Sequence, residues 1–149
     1  MGSPQTLTEA DRRNVAVWAA DCAERVLGLF EAEAPGDCRP RDAIARLRAF
    51  ARGELGVGEA RRRFVAHAAA REVSAPTAVA AARAAGQAAS IPHMGAHALG
   101  AAAYAAKARK ILVVKAPGCA PADFWKYPYQ QISHPLFPWE ETMEWIPSH

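Results

Sequence analysis

A chain of 149 residues with 18 Lys and Arg against 15 Asp and Glu has a one-domain length and a mild basic excess. Half of it is apolar, yet no apolar run reaches the ~18 residues a membrane span needs, which excludes a spanning helix. Cys22, Cys38 and Cys119 are odd in number and far apart, which argues against a disulfide framework and a zinc knuckle; Met1 to Thr6 lacks the basic-then-apolar signal-peptide pattern, so a cytoplasmic location is expected.

The first predicted helix starts at Thr8, an N-cap followed by Glu9 and Asp11, and runs to about Glu33, before Pro35-Gly36. Its apolar stripe is Val15, Trp18, Cys22, Val26, Leu29 and Phe30. Cys22 reads as a small buried hydrophobe. Arg25 falls inside the stripe and Asp21 flanks it, which predicts a half-buried i,i+4 pair.

A second helix begins near Pro40, carries Ile44, Leu47, Phe50 and Ala51, and ends at Gly53. A third runs from about Gly58 to Glu72 and packs Ala60, Phe64, Val65 and Ala68, with His67 and Arg71 on its flank. The arginines from 39 to 71 alternate with apolar positions and with Asp42, Glu54, Glu59 and Glu72. Nucleic-acid binding would need them gathered on one face. The spread predicts solvated helix faces and no nucleic-acid partner.

Ser74 and Pro76 mark a fourth helix, Ala75 to Ala89. Pro92 forbids smooth continuation, so a fifth helix is expected from Pro92 to Arg109. Between Ala66 and Ala108 stand 21 alanines in 43 residues, a strong helical signal that also lets helices approach closely. Residues 1–110 thus read as an all-α bundle of about five antiparallel helices.

Residues 111–149 differ in kind. Ile111 to Val114 could be a short strand or the end of the fifth helix. Beyond it the extension is irregular: the segment holds six of the 11 prolines and seven of the 12 aromatics. Proline excludes a long helix, and disordered tails are poor in aromatics, so the extension should be pinned to something. It packs on its own bundle, on a second subunit in a homodimer, or on a foreign partner. Trp125, Tyr127, Trp139 and Trp145 are its candidate partner-binding anchors.

At 100° per residue His93, His97, Gly100 and Tyr104 share one helical stripe. With Asp21, Arg25, His67 and Arg71 they suggest a polar interior seam. One reading is a hydrogen-bonded structural network. The other is a pocket between helices for an anionic small molecule, anchored by Arg25 or Arg71. His93 and His97 at i,i+4 have metal-chelating spacing, but a site needs a third ligand. No metal and no cofactor are expected. There is no nucleophile elbow, phosphate loop, dinucleotide fingerprint or Cys-x-x-Cys, and so no clear catalytic set.

Several short motifs look familiar in order and spacing. They are Asp21-Cys22-Ala23-Glu24-Arg25-Val26-Leu27, Arg39-Pro40-Arg41-Asp42-Ala43-Ile44, Ala51-Arg52-Gly53-Glu54, Ala66 to Glu72, and Gly95 to Ala108. Over roughly residues 8–110 the chain resembles the Imm-5-like immunity proteins, small alanine-rich helical proteins of bacteria, especially actinobacteria. It departs from their pattern at Gln87, where the family carries histidine, and at Pro92. The resemblance implies a helical fold and neutralisation of a toxin domain, its protein partner, by non-catalytic association. The alternative is a small helical enzyme or ligand-binding protein with a biosynthetic or self-resistance role, using His93, His97 and Tyr104.

Overall fold

The computed structural model of the protein describes residues 7–60 and 66–115, with side chains up to 111. Among these residues the fold is all-α. The elements are α1 (Glu9–Glu31), α2 (Arg39–Ala51), α3 (Val57–Ala60), α4 (Ala66–Ala69), α5 (Pro76–Ala89) and α6 (His97–Lys115). α5 is central: it packs most extensively on α6 and also against α1, α2 and α4.

The helix ends follow local chemistry. Thr8 caps α1, its hydroxyl accepting from the Asp11 N–H at 3.1 Å. α2 stops because Gly53 adopts φ +82°, a left-handed conformation that costs glycine little. The Gly53 N–H then donates to the Phe50 carbonyl at 3.0 Å and the Glu54 N–H to that of Ala49 at 3.0 Å, the double bond of a Schellman motif. Arg13 reinforces this end. Its guanidinium lies 4.4 Å above the Phe50 ring centre and donates to the Phe50 carbonyl, placing a cation at a helix C-terminus. α5 has no side-chain cap of its own. Glu33, just past α1, accepts from the Ser74 N–H at 2.7 Å, the Ser74 hydroxyl at 2.9 Å and the Ala75 N–H at 3.0 Å. These bonds, the one from the Ser74 backbone foremost, hold the Glu33 carboxyl below its ordinary range.

The core has two textures. α1 and α2 contribute volume through Trp18, Val26, Phe30, Ile44, Leu47 and Phe50. α5 and α6 contribute close approach: Ala78, Ala81, Ala82, Ala85 and Ala88 of α5 and Ala98, Ala101, Ala105 and Ala108 of α6 are fully buried. Cys22 is buried as expected, and burial pushes its thiol up to about 12, which keeps it protonated and inert.

Ion pairs lace the first half of the chain. Arg39 holds both Asp37 and Glu72, tying the start of α2 to the segment after α4. Arg41 pairs with Glu31 and Arg52 with Glu54. Arg48 of α2 reaches both Asp21 and Glu24 of α1. The half-buried Asp21 carboxylate is thus held across two helices, while Arg25 is exposed rather than inside the stripe.

Two expectations about elements change, and one open alternative is settled. The third predicted helix corresponds to α3 and α4, which flank residues 61–65; Phe64 and Val65 lie outside the described residues. α4 ends at Ala69 because the Arg71 and Glu72 N–H groups fold back on the carbonyls of Ala68 and Ala69, and Arg39 draws Glu72 away. The last helix starts at His97, not Pro92. Ile91 and Pro92 are buried and hold the chain in turns, with the His93 and Met94 N–H groups both donating to the Ser90 carbonyl. α6 then runs through to Lys115, so residues 111–114 are the end of a helix and not a strand.

Candidate functional site

The described polar seam lies on the side of the α5–α6 hairpin that faces away from the core. On α5, Val79 and Gln87 are half-buried and Arg83 is exposed, at helical spacing. On α6, His97, Gly100, Tyr104, Lys107 and Ile111 are half-buried and recur every three or four residues. The two stripes meet. His97 Nδ1 lies 2.7 Å from Gln87 Oε1, and the Arg83 guanidinium carbon lies 5.8 Å from the centre of the Tyr104 ring.

One glycine makes this meeting possible, and a second lets α4 approach α5. A Cβ on Gly100 would stand 2.5 Å from Gln87 Oε1, so the carboxamide occupies space that any other residue would fill. A Cβ on Gly86 would stand 2.6 Å from the His67 ring, so α4 lays its imidazole directly on the α5 backbone. Beside it the Ser90 hydroxyl donates to the Gly86 carbonyl at 3.0 Å.

A carboxamide oxygen only accepts, so the His97–Gln87 bond requires the Nδ1–H tautomer and leaves Nε2 with a lone pair. The His93 ring packs at 5.3 Å between centroids, tilted by 55°. Burial, followed by the neighbouring His93 and His67, holds His97 below its ordinary range. Burial, followed by Arg83 and Arg71, does the same for His67. Both shifts favour neutral imidazoles.

Stability should therefore fall in two steps on acidification. A depressed histidine lets the unfolded chain take its proton first, so stability drops as pH falls through 6.5 and levels off below the folded pKa. The depressed carboxylates Glu33, Glu54 and Glu72 act only as pH falls through 4.5. Urea unfolding at pH about 7.5 and about 5.5 isolates the histidine step. The free energy should be lower at the acid value, and the difference should shrink in His97→Gln. Equal values in the parent protein would contradict neutral histidines.

The structure gathers five of the predicted seam residues here. His67 and Arg71 come from α4 and the turn after it, His93 from the α5–α6 turn, and His97 and Tyr104 from α6. His93 and His97 are neighbours, though only His97 is helical. Asp21 and Arg25 belong to α1, where Asp21 is engaged by Arg48. Gln87 and Arg83 complete the seam; their i,i+4 spacing on α5 was the available signal. Among the described residues no group of three His, Cys, Asp or Glu gathers closely enough to hold a metal ion. No described helix is long and apolar enough to cross a membrane. Trp125, Tyr127, Trp139 and Trp145 lie outside the described residues.

Fold and seam together define a small helical bundle whose polar face is built from imidazoles, a carboxamide and cations. The chain belongs to the family described as Imm-5 like putative immunity protein, whose model matches residues 5–123. That match covers the whole described bundle and continues past α6. No curated protein and no solved structure matches the chain.

Proposed function

We propose that the protein neutralises a toxin domain by binding it, without chemistry of its own. Membership of the immunity-protein family is the observation that carries this reading. The architecture suits it. Stable association needs a rigid scaffold with polar groups around a few anchors, and the alanine-packed α5–α6 hairpin is a stiff support for one. The candidate anchors are the aromatic residues Trp125, Tyr127, Trp139 and Trp145, and the seam is a candidate polar rim.

The test is affinity capture of the tagged full chain from its source cells, read by native mass spectrometry. A stoichiometric polypeptide that arrests growth when expressed alone, and no longer does so with this chain, is the expected result. A chain that arrives bound only to a small molecule, and loses that mass in His97→Ala or Tyr104→Phe while remaining folded, would overturn it in favour of a ligand-binding seam.

A further inference from the structure

The charges of this chain are segregated in a way the ion pairs make plain. Between Glu72 and Asp123 the sequence contains no Asp or Glu, while Arg83, Lys107, Arg109, Lys110 and Lys115 all fall there. The α5–α6 hairpin therefore has no carboxylate of its own. In the first half of the protein, by contrast, Arg13, Arg39, Arg41, Arg48 and Arg52 are each matched by an acid. Arg83, Lys107 and Lys110 enter no ion pair among the described residues, although Arg83 and Lys110 are exposed and Lys107 half-exposed.

These cations share one strip. Arg83 lies over the Tyr104 ring, Lys107 follows Tyr104 by three residues on α6, and Lys110 follows Lys107 by three. Val79, Leu99 and Ile111, all half-buried, give the strip apolar footing.

The segment that follows α6 carries the opposite sign. Residues 116–149 contain Asp123, Glu140, Glu141 and Glu144 against a single Lys126. Three of the four acids cluster in Trp139-Glu140-Glu141-Thr142-Met143-Glu144-Trp145, where tryptophans bracket the carboxylates. This segment is attached to the end of α6. From Lys115 back to Lys107 the helix rises about 12 Å, and the chain from Lys115 to Glu140 spans several times that at about 3.3 Å per extended residue. Tethering gives the segment an effective concentration near the millimolar range.

We propose that the acidic-aromatic segment 139–145 docks on the cationic strip of its own α5–α6 hairpin. Its carboxylates pair with Arg83, Lys107 and Lys110, and its tryptophans cover the apolar footing. This occupant is favoured over a foreign acidic surface because the complementary charge is already attached to the helix that bears the strip. The inference does not rest on the toxin reading, and it takes Trp139 and Trp145 out of the set of toxin anchors, leaving Trp125 and Tyr127.

The test is zero-length carbodiimide coupling of the full chain, followed by digestion and tandem mass spectrometry. Amide links from Lys107 or Lys110 to Glu140, Glu141 or Glu144 are expected in the monomer, and they should be lost in about 1 M salt, where screening is nearly complete. A second measurement uses Glu140→Gln, Glu141→Gln and Glu144→Gln together, all outside the described bundle. Chymotryptic cleavage at Trp139 and Trp145 should speed up several-fold in this variant. Links found only in a covalent dimer would assign the strip to a second copy and overturn the proposal. So would the absence of links together with unchanged cleavage.

Discussion

Replacing Phe50 with alanine should lower the free energy of unfolding by about 3–5 kcal/mol, the largest loss expected from any single truncation in the bundle. Phe50 has no exposed surface and is among the largest fully buried side chains. Its neighbours cannot easily collapse into the space. Leu47, one turn earlier on α2, is itself fully buried, and the backbone at Phe50 is fixed by the Schellman turn at Gly53. The substitution also removes the face on which Arg13 stacks, loosening the cation that closes the end of α2. Urea denaturation with the slope held constant is the appropriate measurement. A loss below about 1 kcal/mol would mean that the α1–α2 layer is not the source of core volume.

Enlarging the opposite layer should be nearly as damaging. Ala85→Leu puts an isobutyl group in the middle of α5, where the methyl of Ala85 is fully buried and the helix packs against α1, α2, α4 and α6. Because interiors are close-packed, the extra atoms must push α5 from a neighbour at a cost of about 1–3 kcal/mol or more. The displacement should also reach the seam. Gln87 is two residues on, and its bond to His97 depends on the close approach permitted at Gly100. Ala85→Leu is thus expected both to destabilise the protein and to shift the His97 imidazole resonances. A surface alanine such as Ala45, exposed on α2, should tolerate leucine without either effect.

Much of this fold was legible in the sequence because its punctuation is local. Thr8 ahead of Glu9 and Asp11, Pro40, Gly53 and Pro76 each act within a turn of their own position, and the structure uses each as expected. Pro92 misled because proline suits a helix start as well as a buried turn. The choice is made by tertiary packing of Ile91 and Pro92, which no neighbouring residue announces. Arg25 misled for a related reason: angular position places it in the apolar stripe, but in the folded chain it is exposed. Asp21 is instead claimed by Arg48, far along the chain.

The seam was half visible. The stripe of His97, Gly100 and Tyr104 follows from helical spacing alone, and His93 reaches His97 although the turn before α6 replaces the expected helical turn. What spacing could not supply was the partner helix. Gln87 and Arg83 take their roles from the α5–α6 crossing, which is set by the size of the buried alanines and by Gly100, whose missing side chain makes room for Gln87.

The most direct test of binding without chemistry is the stoichiometry of protection. Once the captured toxin domain is purified, its residual activity should be measured against increasing amounts of this protein at concentrations well above the dissociation constant. Neutralisation by association predicts a linear fall with an end-point at a fixed whole-number ratio, unchanged by longer incubation. Complete loss of toxin activity at a small fraction of one equivalent, deepening with time, would show turnover and contradict the account.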